Sequence, residues 1–123
     1  MERYKTFEDL EVYKKSIAFT VQVFELIRTE RINREFALNE QLKRATLSIT
    51  NNIAEGFERE SDKEFIRFLY FAKASAGEVR NILNVLKETG ILESRFYDEM
   101  RISIIEISKQ LSNYIKFIKK RSL

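Results

Sequence analysis

The sequence predicts an all-α protein, an antiparallel up-down-up-down four-helix bundle. Three observations support this fold class. The 123 residues include no proline and three glycines, a composition that favours long helices over a turn-rich β fold. Apolar residues recur at steps of three and four in four segments, which is the helical period. The polar connections between the segments are short, so sequential helices are expected to pack antiparallel as a single domain over residues 1–123.

The first predicted helix covers residues 6–29, with Thr6 or a neighbour as its N-cap. The second covers residues 37–57 and reaches Gly56, a residue type suited to a helix end. Each contains one apolar stripe that is expected to face the core. The stripes are Leu10, Tyr13, Ile17, Val21, Phe24 and Ile27 in the first helix, and Leu38, Leu42, Ala45, Ile49 and Ile53 in the second.

The third predicted helix covers residues 62–89, and Ser61 with Glu64 forms a capping-box pattern at its start. Gly90 supplies a left-handed stop after it. The fourth covers residues 95–120, with Ser94 as a candidate N-cap. The expected core stripes are Phe65, Phe68, Leu69, Ala72, Ala76, Val79, Leu83 and Leu86 in the third helix, and Phe96, Met100, Ile104, Ile107, Leu111, Tyr114 and Ile118 in the fourth.

The first helix has a second line of apolar residues, set about 140° around the helix axis from the main stripe. We expect that one bundle interior cannot take both lines. A contiguous exposed apolar patch marks an interface, so self-association is expected; scattered surface residues or another partner are the alternatives. The expected oligomer interface consists of Val12, Phe19, Val23 and Leu26.

Small and polar residues line the sides on which the second and third helices are expected to meet. Glycine inside a helix costs about 1 kcal/mol relative to alanine, so Gly77 predicts close approach of another backbone. The polar residues predict a network that fixes helix register. Its expected members are Gln41, Ser48, Asn52, Glu55, Arg67, Ser75 and Glu78, with Gln41 or Arg44 meeting Glu78 and Glu55 meeting Arg67 or Lys63.

The absent residue types argue against catalysis. The chain has no cysteine and no histidine, so it lacks a thiol nucleophile, an imidazole base and the usual zinc ligands. Three separated glycines form no phosphate-cradling loop. No apolar run reaches the roughly 20 residues that cross a bilayer. We expect a soluble cytoplasmic protein with no catalytic residue, metal or cofactor and no membrane partner.

The net charge of +3 is concentrated near the end of the chain. Residues 1–92 are neutral, and residues 93–123 contain seven basic and four acidic residues. A basic end attracts phosphates; a solvated helix C-terminus is the alternative interpretation. The candidate nucleic-acid contacts are Lys14, Lys15, Lys43, Arg44, Lys116, Lys119, Lys120 and Arg121.

Residues 41–56 read QLKRATLSITNNIAEG and are accompanied by further elements at fixed spacing. These elements are residues 7–10 (FEDL), Tyr13-Lys14, Arg59, Glu64-Phe65 and residues 72–78 (AKASAGE). Together they resemble the bacterial four-helix bundle proteins whose genes were first noted within intervening sequences of large-subunit ribosomal RNA genes. The accessory variability determinant of diversity-generating retroelements belongs to the same family.

The resemblance implies an antiparallel four-helix bundle that assembles as a homopentamer. The accessory variability determinant has a basic surface, binds nucleic acid and associates with a reverse transcriptase, so RNA or DNA and a reverse transcriptase are the implied partners. Gln41, Asn52, Glu55 and Glu78 match family positions that are structural polar groups, not catalytic ones.

Three functions therefore stand as alternatives. The first is a non-enzymatic homo-oligomeric scaffold that binds nucleic acid or a nucleic-acid enzyme. The second is a protein-protein interaction module without nucleic-acid binding. The third is an enzyme in which Glu55, Glu58 and Glu78 are oxygen ligands for magnesium.

Overall fold

Four α-helices pack around a common interior in the computed structural model, which describes residues 4–29 and 34–122. They are α1 (Glu11–Thr29), α2 (Phe36–Phe57), α3 (Asp62–Glu88) and α4 (Ser94–Arg121). α2 packs against α3 and α3 against α4, while α1 closes the bundle against α2 and α4. The all-α four-helix bundle is confirmed. Part of the connection between α1 and α2 lies outside the described residues.

Hydrogen bonds between helices establish the antiparallel register of α3 and α4. Arg121, at the end of α4, donates to Asp62, at the start of α3, over 2.9 Å. At the opposite end, the Tyr97 hydroxyl donates to the side-chain oxygen of Asn84 over 2.6 Å. α3 and α4 therefore lie side by side over most of their length.

The helix ends follow the sequence signals in two places and differ in two. The Ser61 hydroxyl accepts a hydrogen bond from the Glu64 amide over 3.1 Å, which is the serine half of the predicted capping box, while the Glu64 carboxylate pairs with Arg67. Gly90 has a φ of 77°, which confirms the left-handed stop. α1 begins at Glu11 instead of residue 6, because a 3₁₀ turn at Phe7–Asp9 and an extended Leu10 precede it. Ser94 is not an N-cap: it is helical, and the extended Glu93 precedes α4 without a capping side chain.

The interior is apolar, and the predicted stripes of α2, α3 and α4 face it. All the predicted core residues of α3 are buried, while Leu38, Phe96 and Tyr114 at the stripe edges are half-buried. Among the described residues no ionisable side chain is buried; the buried polar residues are Ser16, Asn39, Thr46 and Thr50.

No helix in the described part of the chain has the length and apolar run that crossing a bilayer requires.

The orientation of α1 differs from the prediction. The four residues expected to form an exposed oligomer interface, Val12, Phe19, Val23 and Leu26, are all buried inside the bundle. Phe19 is 1% exposed and Val23 is 0% exposed. Conversely, Ile17 and Val21, which were expected in the core, are 38% and 57% exposed. The expected interface is therefore wrong, because one copy of the chain buries that line completely.

Ser16 explains why the inward face of α1 was not recognised. It lies between Val12 and Phe19 on the buried line and is itself buried. Its hydroxyl donates to the Val12 carbonyl over 2.7 Å, so a polar residue is accommodated in the core with its hydrogen bond made within the helix. In the sequence, the polar Ser16 interrupts the line of residues that is buried. The exposed line has no such interruption, so it resembles the core stripe more closely.

Close approach between α2 and α3 occurs at Gly56 and not at Gly77, where it was predicted. A Cβ at Gly56 would lie 2.6 Å from the Phe68 Cβ and 3.0 Å from a Phe65 ring carbon, so α2 and α3 approach most closely there. Gly56 has no positive φ, and the helix continues to Phe57. A Cβ at Gly77 would meet nothing within 4 Å, so the expected close backbone approach at this position is absent.

Replacing Phe19 and Val21 separately tests the orientation of α1. Phe19→Ala is expected to lower the free energy of unfolding by about 3–5 kcal/mol, because it empties a buried site. Val21→Ala, on the side that is exposed in a single copy, is expected to change it by less than about 0.5 kcal/mol at protein concentrations too low for self-association. Urea unfolding followed by circular dichroism measures both; equal effects would contradict the orientation.

Replacing each helical glycine by alanine tests the α2–α3 contact. Gly56→Ala is expected to destabilise the protein by about 1–3 kcal/mol, because the new methyl group overlaps the β-carbon of Phe68. Gly77→Ala is expected to leave stability unchanged or raise it by up to about 1 kcal/mol, because helix propensity improves without a clash. Thermal unfolding of both variants distinguishes the two sites, and a destabilised Gly77→Ala would contradict the open surroundings of residue 77.

Candidate functional site

A groove of about 560 Å³ runs along the seam between α3 and α4. Ala76 and Ile104, both buried, form its bottom. Basic and small polar side chains form its sides. The lining residues are Lys73, Ala76, Gly77 and Arg80 from α3, and Ile104, Ile105, Ser108, Lys109, Ser112, Asn113 and Lys116 from α4.

The charge of this groove is uniformly positive. Lys73, Arg80, Lys109 and Lys116 contribute four cations, and no carboxylate of residues 4–29 or 34–122 belongs to the lining. None of the four makes an ion pair with another described residue. Four other surface cavities each include at least one acidic side chain. The groove therefore attracts anions from solution more strongly than those cavities do.

The positions of the cations follow from helix geometry. Lys73 and Arg80 are seven residues apart in α3, and Lys109 and Lys116 are seven apart in α4. Seven residues correspond to about 10 Å along a helix and return to nearly the same face. Because the helices are antiparallel, with Asp62 opposite Arg121 and Asn84 opposite Tyr97, Lys73 lies level with Lys109. Arg80 and Lys116 lie about 10 Å from that level in opposite directions along the groove. A single anionic group cannot reach all three levels.

The end of the groove near the helix termini is more heavily hydrogen-bonded. Lys119 donates to the Tyr70 hydroxyl over 3.0 Å, and this bond lowers the pKa of Tyr70. Arg121 and the Ser122 hydroxyl donate to Asp62, and these bonds lower the pKa of its carboxyl group. Arg121 is therefore neutralised within the protein, and its own pKa is raised by Asp62.

The eight basic residues singled out in the sequence do not form one surface. Lys116 is the only one of them among the groove-lining residues. Three have acidic partners: Lys14 with Glu11, Lys43 with Glu40 and Arg121 with Asp62. The remaining members are exposed on three different helices: Lys15 on α1, Arg44 on α2, and Lys119 and Lys120 on α4.

Only the centre of the predicted polar network is formed. The hydroxyl groups of Ser48 and Ser75 lie 2.7 Å apart across the α2–α3 contact. Asn52 donates to the Ser48 hydroxyl over 3.0 Å and to its carbonyl over 2.7 Å. These three residues therefore link α2 to α3 as expected.

The predicted charged pairs of that network are wrong. Arg67 pairs with Glu64 on its own helix at 3.3 Å, not with Glu55. Gln41, Glu55 and Glu78 are exposed and make no interaction with another described residue. Their carboxylate and amide groups remain in water, because solvation costs less than ordering two long side chains on a surface. Among the described residues, no group of three acidic side chains is placed to hold a metal ion.

Sequence reasoning missed Lys73, Arg80 and Lys109. The sequence does contain a signal for them: two basic residues seven positions apart occur in the third predicted helix (Lys73 and Arg80), and two more occur in the fourth (Lys109 and Lys116). Each pair flanks a predicted core stripe, so both pairs belong to helix sides that meet in a bundle. The net charge along the chain points to residues 93–123. It does not reveal this cluster, because the four cations come together only when the two helices pack side by side.

Comparisons with known proteins agree with the fold. A solved structure with a TM-score of 0.78 and 29% sequence identity covers 85% of this chain and 98% of its own. It is described as a protein with unknown function from the S23 ribosomal protein family of Bacteroides thetaiotaomicron. A comparison with curated proteins gave no match. The family model for the 23S rRNA-intervening sequence protein matches residues 8–113. The chain therefore belongs to the 23S rRNA-intervening sequence protein family.

Proposed function

We propose that this protein is a non-enzymatic, self-associating scaffold that binds the phosphate backbone of nucleic acid along the α3–α4 groove. The observation that carries the proposal is the set of four cations, unaccompanied by any carboxylate, around one groove. Unpaired lysine and arginine side chains retain counterions, and phosphates release those counterions when they bind. Released counterions supply most of the free energy of sequence-independent binding.

The lining favours contact with the backbone over contact with bases. No aromatic residue lines the groove, so it offers no platform on which unpaired bases stack. Lysine and arginine contacts to phosphates position a nucleic acid without reading its sequence. The serine and asparagine side chains of α4 add hydrogen-bond donors to phosphate oxygens. These features support binding of duplex or structured RNA or DNA.

A second surface supports self-association, at a different place from the one predicted. Lys43 of α2 lies over the ring of Phe24 in α1, 5.7 Å from its centre. In antiparallel helices this places Val21 near the level of Leu47, and Val21 also borders a cavity between α1 and α4 that is lined by Glu25, Phe96 and Glu99. Val21 is 57% exposed and Leu47 is 41% exposed. We call this surface the α1–α2 apolar face, formed by Ile17, Val21 and Leu47.

The α1–α2 apolar face is unusual in its lack of charge. Residues 16–24 of α1 and 45–54 of α2 contain no ionisable side chain. An uncharged apolar surface is buried favourably against a second copy. The family resemblance supports a ring of five, in which every groove is repeated five times. Such repetition multiplies weak phosphate contacts on one long nucleic acid.

The resemblance also supports a reverse transcriptase as a protein partner. The α1–α2 apolar face supports a second candidate function. The face is equally suited to a helix of another protein. An interaction module without nucleic-acid binding is therefore the alternative function, and it predicts no retardation of RNA or DNA.

Charge reversal in the groove tests nucleic-acid binding. The double variant Lys109→Glu with Lys116→Glu is expected to bind structured RNA and duplex DNA at least tenfold more weakly at 50 mM salt. The matched control, Lys15→Glu with Arg44→Glu, makes the same change in net charge on other faces and is expected to retain binding. Mobility-shift titrations measure both.

The salt dependence of binding is a second readout. Four phosphate contacts predict a slope of about −3 to −4 for the logarithm of the association constant against the logarithm of salt concentration. The groove variant is expected to have a shallower slope. Absence of wild-type binding at 50 mM salt would reject the proposal, and equal losses in both double variants would show that net charge alone is responsible.

Charge placed on the α1–α2 apolar face tests self-association. Val21→Asp with Leu47→Asp is expected to give a folded monomer, because two carboxylates cannot be buried against a second copy without partners. Gln22→Asp with Gln41→Asp adds the same charge to exposed polar positions of the same helices and is expected to keep the wild-type mass. Light scattering at micromolar concentration measures the mass, and a monomeric wild-type protein would contradict self-association.

A further inference from the structure

Gly77 lies in the lining of the α3–α4 groove, in the middle of a long helix. Glycine at such a position destabilises a helix relative to alanine. Gly56, by contrast, is required by its contact with Phe68. Apart from its chain neighbours and the adjacent backbone of its own helix, no described atom lies within 4 Å of the position that a Cβ of Gly77 would take. The fold therefore provides no packing reason for the missing side chain at residue 77.

The surroundings of Gly77 are those of a binding surface. Lys73 and Arg80 lie one turn before it and nearly one turn after it on α3, and Lys109 belongs to the facing wall. The facing residues of α4 also include Ser108 and Ser112, which are small. Around Gly77 the groove thus consists of exposed helix backbone and short side chains, with Arg80 in one direction along the groove and the level of Lys73 and Lys109 in the other.

We propose that Gly77 is a ligand-contact position, at which a linear chain of phosphates lies directly against helix α3. This inference rests on the proposed function and names its ligand class. The missing side chain lets the chain approach the helix between Arg80 and the level of Lys73 and Lys109. Cations separated by about 10 Å along the groove suit several phosphates of one strand, not a single phosphate ion. A phosphodiester strand and inorganic polyphosphate share this chemistry.

Filling the groove at residue 77 tests the inference without changing any charge. Gly77→Leu introduces a good helix former that extends into the open groove, so thermal stability is expected to stay the same or rise. Affinity for a fluorescent 20-base-pair RNA duplex is expected to fall at least tenfold, and the salt slope is expected to become shallower. The matched control is Ala74→Leu, an exposed position of α3 outside the groove lining, which is expected to bind as the wild type does.

Competition experiments test the ligand class. Inorganic polyphosphate and a short unlabelled RNA strand are both expected to displace the duplex from the wild-type protein. Inorganic phosphate at the same total phosphate concentration is expected not to displace it. Displacement by RNA alone would assign the site to phosphodiester strands, and displacement by inorganic phosphate would overturn the linear-chain requirement.

The outcome for Gly77→Leu separates this inference from the proposed function. If the wild-type protein binds RNA and the Lys109→Glu with Lys116→Glu variant does not, the groove is the binding site. Unchanged affinity of Gly77→Leu in that situation would overturn the role of Gly77 alone. If the wild-type protein does not bind RNA at all, the proposed function is contradicted, and the inference that rests on it is contradicted with it.

Discussion

No ionisable side chain in the described part of the chain is buried in the bundle interior, and this exclusion of charge determines where the ionisable side chains lie. The face that each helix buries in the interior must be apolar, so lysines and arginines occupy the flanks and the outer faces of the helices. Where two helices meet, their flanks become the two walls of a seam. The described lining of the groove in the α3–α4 seam contains cations from both helices and a carboxylate from neither. A cationic groove therefore results from packing two helices that each have a basic pair on one flank.

The same constraint separates two kinds of surface on one small protein. α1 and α2 present exposed apolar side chains within segments that lack ionisable residues. α3 and α4 present basic side chains around a groove whose bottom is apolar and narrow. A scaffold that binds a polyanion on one side and a second copy on another needs this separation, because charge within an apolar contact would oppose burial.

Most of the fold was predictable from the sequence, because helical periodicity and the capping signals at Ser61 and Gly90 are local. The orientation of α1 was not, since Ser16 satisfies its own helix and thereby enters the core as a polar residue. The roles of Gly56 and Gly77 depend on which atoms face them across a seam, which no local pattern specifies. The groove was missed for the same reason: its four cations come from two helices, and their proximity exists only in the packed bundle.

The backbone amides of the three glycines, Gly56, Gly77 and Gly90, offer the most direct test of the groove. A nitrogen-15 NMR titration with a short RNA duplex reports on the α2–α3 contact, the groove and the α3–α4 turn separately. The account predicts that the Gly77 resonance shifts together with those of Lys73 and Arg80, while those of Gly56 and Gly90 stay in place. An unmoved Gly77 resonance during saturating RNA binding would contradict it.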